Sequence, residues 1–257
     1  MAGRDRPVAL ITGAAGGLGG AIARQLCMDG FRLVLSDLDS IAELRATERQ
    51  LQSKGDAVSL PHDLTDDGGR EGFVAAVFGA FGRLDCLVNN AGVSVLARGD
   101  ILDVSPESFD RCISVNLRAQ FFLTQSVARR MRDAPSSRRR SIVTVSTVAV
   151  DHVIGTVLAE YCIAKAGLAH SIRHWAARLA REGIDCFEVR PGMMKTDMTA
   201  GTTAKYDALI AAGFVPAGRW GDSAEVARAV SLLASGQLPY STGQTIHVDG
   251  GMRLKPF

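Results

Sequence analysis

VALITGAAGGLGGAIARQLCMDG, residues 8–30, decides the fold. Its first five residues form an unbroken apolar, β-branched run, the pattern of a strand covered on both faces. Leu18, Ile22 and Leu26 then recur at four-residue spacing, one apolar stripe of a helix that stops at Gly30, a residue suited to a left-handed cap. Between strand and helix lies Thr12-Gly13-Ala-Ala-Gly-Gly17-Leu-Gly19. At such a junction the backbone N–H groups and the helix dipole can receive a pyrophosphate, and a β-carbon would hold the phosphate off.

The same strand character returns at 31–36, 56–60, 84–90, 141–147, 184–189 and 244–248, with intervals long enough for helices. That alternation predicts a parallel sheet wrapped by helices, an α/β fold. Asp222-Ser-Ala-Glu225 predicts the capped start of a late helix, followed by Val226, Val230 and Leu233 at helical spacing. The turn DAPSSRRR at 133–140 is too short to divide domains, so one domain over 1–257 is expected.

A formal net charge of +2, with 47% hydrophobic and 22% charged residues, describes an ordinary globule with no field to recruit nucleic acid or an anionic membrane. Small-molecule partners are expected. The charged, apolar start resembles a leader, but its glycines and Asp5 fit strand, turn and helix better. No apolar stretch is long enough to span a bilayer. Cys27, Cys86, Cys112, Cys162 and Cys186 are scattered without a C-x-x-C pair, which argues for structural thiols in a reducing cytoplasm and against a metal centre.

Asp37 closes the second strand, 18 residues after Gly19. A carboxylate there can accept from both adenosine ribose hydroxyls and would repel a 2′-phosphate, so NAD is expected over NADP. The alternative is that Asp37 only caps a helix starting near Ser40.

The chain resembles the short-chain dehydrogenase/reductase family over nearly its whole length. TGxxxGxG stands at 12–19, Asp63-Leu64 after the third strand, NNAG at 89–92, Asn116 in a helix, Tyr161-x-x-x-Lys165, Pro191-Gly192 with Thr196, and VDGG at 248–251. EYCIAKAGL, RPG and STGQTIHVDGG are similar to members labelled 3-ketoacyl-carrier-protein reductase-like. The resemblance implies a single Rossmann-type doubly wound parallel sheet with helices on both faces. It implies cofactor contacts from Thr12, Gly13, Gly17, Leu18, Gly19, Asp63, Leu64, Asn90, Ala91, Gly92, Pro191, Gly192 and Thr196, and a homotetramer.

Tyr161 and Lys165 share a helix face, which puts an ammonium beside a phenol. Bringing a phenol from about 10 to about 7 takes roughly 4 kcal/mol of preferential phenolate stabilisation. The ammonium and an oxidised nicotinamide can supply it in a water-poor cleft. The pair then handles the proton while a hydride passes between nicotinamide and a carbonyl or secondary alcohol. Asn116 would carry a proton-returning water chain. The family's usual serine falls at Val148 by distance from the tyrosine. Thr147 is the preferred replacement, and Ser146 is the neighbouring hydroxyl; strand alternation lets only one face the cleft.

His170 and His174 lack the partners of a metal site and are expected on an outer face. Arg129, Arg130, Arg132 and 138–140 are expected to be a solvated face, the sharper alternative being docking of an acidic carrier protein. A substrate lid is expected around 193–220, where Met193, Met194, Met198, Tyr206, Phe214 and Trp220 offer apolar surface. The leading expectation is an NAD(H)-dependent secondary-alcohol/ketone oxidoreductase. The alternatives are a 3-oxoacyl-carrier-protein reductase and an NAD(H)-binding redox-responsive protein.

Overall fold

A computed structural model describes the chain except for residues 1–5, 39, 40, 135, 137, 154–156, 197, 198, 200, 202 and 255–257. In chain order it comprises β1 (Val8–Thr12), α1 (Gly17–Met28), β2 (Arg32–Ser36), α2 (Ile41–Gln52), β3 (Ala57–Ser59), α3 (Arg70–Phe81) and β4 (Cys86–Asn89). Then come α4 (Pro106–Ile113), a π-helical turn (Ser114–Ala119), α5 (Gln120–Asp133), β5 (Arg140–Val145) and α6 (Ala159–Leu179). The chain finishes with β6 (Ile184–Pro191), α7 (Thr203–Ala211), α8 (Ser223–Ala234) and β7 (Thr245–Val248).

The seven strands form one parallel sheet in the order β3-β2-β1-β4-β5-β6-β7. Successive side chains of β1 divide between two cores. Ala9 and Ile11 pack with α1, α2 and α8, whereas Val8 and Leu10 pack with α3, α5 and α6. Burial on both faces is why these strands read as continuous apolar runs. Strand order runs outward in opposite directions from β1 and β4, which opens a crevice at their carboxyl ends.

Local chemistry sets the boundaries. α1 ends in a Schellman motif: the Phe31 N–H donates to the Leu26 carbonyl at 3.0 Å and that of Gly30 to Cys27 at 3.1 Å, with Gly30 at φ 89°. α8 begins at the expected cap, with the Ala224 N–H donating to Asp222 and the Asp222 N–H to Glu225, each at 2.8 Å. The expected solvated face holds for Arg129, Arg132, Arg138 and Arg139, which are exposed, and is corrected at Arg140. Arg140 is buried, opens β5, and donates to the carbonyls of Met131 and Ala134. Arg139 grips Asp185 with two bonds of 2.7 and 2.6 Å. These arginines tie the end of α5 to the sheet.

Candidate active site

A cavity of about 1640 Å³ runs along the carboxyl ends of the strands, from Asp37 and Asp63 at one end to Tyr206 and Phe214 at the other. This exceeds the roughly 300–1,000 Å³ of an ordinary small-molecule pocket, leaving room for a dinucleotide and a second molecule. Of the residues singled out in the sequence, Thr12, Gly13, Gly17, Leu18, Asp37, Asp63, Leu64, Asn90, Ala91, Gly92, Ser146, Thr147, Tyr161, Lys165, Pro191, Gly192 and Thr196 line it. Gly19 and Asn116 do not; they act from behind.

The glycine turn is built for close approach. A β-carbon on Gly19 would lie 1.9 Å from the Gly13 carbonyl oxygen, and one on Gly13 2.9 Å from the Ala91 α-carbon. Gly13 and Gly17 also adopt φ of 66° and 54°. Thr12 and Asn90 fasten the turn to the end of β4. The Thr12 hydroxyl accepts from the N–H groups of Asn90 and Ala91, both at 3.1 Å, and the Asn90 amide donates to the carbonyls of Thr12 and Gly13 at 3.0 and 3.1 Å.

Beside the turn, Asp37 accepts from the N–H of Ala15 at 2.9 Å and of Leu38 at 2.8 Å. Each oxygen keeps a lone pair for a hydroxyl donor. Around it the cavity wall is made by Ser36, Leu38, His62, Asp63 and Leu64, with no lysine or arginine among them. Burial pushes the His62 pKa down, so this neighbour is neutral at pH 7. Ser40, the start of the capping alternative, lies outside the described residues. Asp63 holds its own loop, accepting from the Thr65 N–H at 2.8 Å and hydroxyl at 2.7 Å.

Tyr161 and Lys165 project from α6 towards the tip of β5. Lys165 is buried, and its ammonium donates to the Val145 carbonyl at 3.1 Å. Burial lowers its pKa to about 8, against which the Glu188 carboxylate pulls upward. Burial likewise raises Tyr161 to about 12, while a hydrogen bond with the Thr147 hydroxyl pulls it back. The two β5-tip hydroxyls point apart. Thr147 serves the phenol, whereas Ser146 donates to the Glu188 carboxylate on β6.

Asn116 is buried in the π-helical turn, a distortion common at functional sites. Its amide clamps Val93 reciprocally, accepting from the N–H at 2.8 Å and donating to the carbonyl at 2.9 Å. It thus shapes the loop after β4, which the sequence reading had not anticipated. Gly92 permits the approach: a β-carbon there would meet the Asn116 oxygen at 2.8 Å.

Pro191 and Gly192 end β6, and the Gly192 N–H donates to the Val248 carbonyl at 2.9 Å, which ties them to the VDGG turn. Met193, Tyr206 and Phe214 line the outer cavity. Trp220 instead turns away to donate to Asp207 at 2.7 Å and to pack edge-on against Tyr206, and Met198 is outside the described residues. His170 and His174 are exposed on α6, their Nε2 atoms 3.3 Å apart. Burial pushes the Cys86 and Cys186 thiols up to about 12, which makes them inert.

The family model described as enoyl-(acyl carrier protein) reductase matches residues 13–253. The chain belongs to the short-chain dehydrogenase/reductase family. It is 36% identical over 252 residues to 3-oxoacyl-[acyl-carrier-protein] reductase FabG of Escherichia coli, spanning 96% of this chain and 97% of that protein. Among solved structures it is similar to a Brucella melitensis 3-oxoacyl-[acyl-carrier protein] reductase in complex with NAD. The match has 43% identity and a TM-score of 0.94, covering 98% of this chain and 99% of that one. Levodione reductase is similar at 28% identity and a TM-score of 0.87, covering 95% and 96%. As a short-chain dehydrogenase/reductase, the protein is a nicotinamide-dependent oxidoreductase. Among the described residues no helix is long and apolar enough to cross a membrane.

Proposed function

We propose that the protein reduces a 3-oxoacyl thioester to the 3-hydroxyacyl product with NADH, rather than acting first as a general secondary-alcohol dehydrogenase. The convergence of Thr147, Tyr161 and Lys165 on a cavity whose other end carries Asp37 supports the chemistry and the cofactor. The similarity to reductases named for this substrate, one of them in complex with NAD, supports the substrate class.

The cleft fits a dinucleotide. Gly13 and Gly19 are places where a β-carbon would collide, and Asp37 presents free lone pairs for hydroxyl donors beside Ser36, Leu38, His62, Asp63 and Leu64. Asp37, the glycine turn, Asn90 to Gly92 and Thr196 would hold the bound cofactor, which supplies the hydride. The chain's own residues handle the proton. Tyr161, held as a phenol by burial, donates to the oxygen of the carbonyl being reduced. The Thr147 hydroxyl donates to the same oxygen and steadies its growing charge. Lys165, with one proton committed to Val145, retains two donors and its positive charge to favour the phenolate left behind. Asn116 keeps one N–H and one lone pair beyond Val93, enough to join a water chain returning a proton to Tyr161.

Burial holds Tyr161 as the phenol at neutral pH, the form that carries the proton a reduction delivers. As a base near pH 7 it would need about 7 kcal/mol of added phenolate stabilisation. We read 193–220, with α7 at its centre, as the substrate lid, and the assembly as a cytoplasmic homotetramer of one-domain subunits.

The test is NADH oxidation with an acetoacetyl thioester on a carrier protein or its pantetheine analogue, beside a panel of secondary alcohols with NAD. Tyr161→Phe should lose about 10²–10⁴-fold in kcat while still binding NADH. Turnover of a simple alcohol but no thioester would return the reading to a general dehydrogenase. Binding of NADH with no turnover of either would leave a redox-responsive binding protein.

A further inference from the structure

We propose that the outer end of the cavity is an anion subsite in which Arg98, Lys205 and Arg253 take the phosphate of the substrate's pantetheine arm, a group shared by coenzyme A and by a carrier protein's phosphopantetheine. It rests on the reading of the substrate as an acyl thioester and adds where the arm is held.

Charge is segregated along the cavity. Among its described lining residues the carboxylates are Asp37 and Asp63, both at the end assigned to adenosine. The cations are Arg98, Arg111, Lys165, Lys205 and Arg253. Lys205 precedes Tyr206 on α7, and the turn before Arg253 is tied to the lid by the Ala217 N–H, which donates to the Gly250 carbonyl at 2.9 Å. Arg98 lies in the loop after β4, which Arg111 pins from α4 by donating to the Ser94 carbonyl at 2.9 Å. The whole chain carries a formal net charge of only +2, so this excess of positive charge is local, the condition under which a cleft concentrates an anionic ligand.

The carboxylates of neighbouring segments are engaged elsewhere. Asp151 pairs with Arg190, which also grips Glu188 through Nε at 2.7 Å and Nη2 at 2.9 Å. Asp207 accepts from Trp220 at 2.7 Å, and Asp249 accepts from the N–H groups of Gly251 and Arg253 at 2.9 and 3.3 Å. Depth then selects the anion. Arg98, Lys205 and Arg253 are exposed, which puts them at the mouth, whereas Lys165 is buried with a proton committed to the Val145 carbonyl. A carboxylate attached close to the reacting carbonyl would need a cation at the depth of Tyr161. An anion met at the mouth must instead sit at the far end of a long arm, which is where a pantetheine thioester carries its phosphate. Val153, Leu158, Met193, Leu209 and Phe214 give the intervening length apolar walls. Arginine presents a fork that matches phosphate oxygens, and lysine adds a point charge.

The test compares acetoacetyl-phosphopantetheine with acetoacetyl-pantetheine, which differ only in the phosphate, at saturating NADH. Wild type should favour the phosphorylated thioester about 10-fold in kcat/KM at low salt, and the preference should fade towards parity in about 1 M KCl. Arg98→Gln with Lys205→Gln should cut the preference about 10-fold, through KM, and Arg98→Glu with Lys205→Glu should invert it. Both positions are exposed, so the variants should fold, with NADH binding as the check. Equal use of the two thioesters by wild type, or a preference that neither double variant changes, overturns the proposal. Coenzyme A and carrier-protein thioesters are run alongside. A loss in both supports the subsite, and the one with the higher wild-type kcat/KM is the source of the phosphate; a loss confined to the carrier protein would mean that the cations meet a protein face and overturns it. Calorimetric binding of phosphopantetheine to the NAD-loaded enzyme separates the two readings. Binding that weakens about 10-fold in Arg98→Gln with Lys205→Gln, in a protein that reduces no thioester, would refute the proposed activity and leave the subsite standing.

Discussion

Replacing Lys165 by methionine should abolish turnover and stabilise the fold. Lys165 is buried, and the drop of its pKa from 10.5 to about 8 is the cost of holding a desolvated ammonium. That difference corresponds to about 3 kcal/mol at neutral pH. Methionine has nearly the same reach without the charge, and it forfeits the bond to Val145, worth about 1 kcal/mol. A net gain of about 2 kcal/mol is expected in urea unfolding at pH 7 and fixed protein concentration. The pH dependence follows from linkage. Between about 8 and 10.5 the unfolded wild-type chain binds more protons at this lysine than the native state, so wild-type stability rises with pH across that window. The advantage of the methionine variant should therefore be full below pH 8 and fade as pH approaches 10.5. A variant less stable than wild type at pH 7, or an advantage indifferent to pH, would refute the reasoning.

Two further outcomes are expected. Asp37→Ser removes the fixed negative charge beside the ribose position, and the NADP/NAD ratio of kcat/KM should rise about 10–100-fold; an unchanged ratio would show that Asp37 does not set the preference. Thr147→Ala should lower kcat about 100-fold, by loss of a donor to the reacting oxygen, while Ser146→Ala gives a smaller loss through the strand end. The reverse order in steady-state kinetics would exchange their roles.

Much of the site was legible because its chemistry is tied to short spacings. A helix puts residues four apart on one face, so Tyr161 and Lys165 could be paired from the chain alone, and a glycine turn between strand and helix announces a phosphate site wherever it occurs. The seven apolar runs gave the sheet because burial on both faces leaves no polar alternation to confuse the pattern. Boundaries were less certain: β3 shrank to three residues, as suits an edge strand paired on one side, and β5 began at an arginine that sequence placed in solvent.

What tertiary structure alone decided depends on partners distant in sequence. Ser146 and Thr147 are adjacent and chemically alike; only the arrival of Glu188 from β6 and of Tyr161 from α6 assigns one hydroxyl to the carboxylate and the other to the phenol. Asn116 looked like a proton relay, and its clamp on Val93 emerged only when the π-helical turn and the loop after β4 were brought together. Glu188 and Arg190 sat unnoticed in an apolar strand, since nothing local distinguishes a buried charge that will be satisfied from one that will not. Spacing along a helix or turn is a property of the chain; the satisfaction of a buried polar group belongs to the assembled sheet.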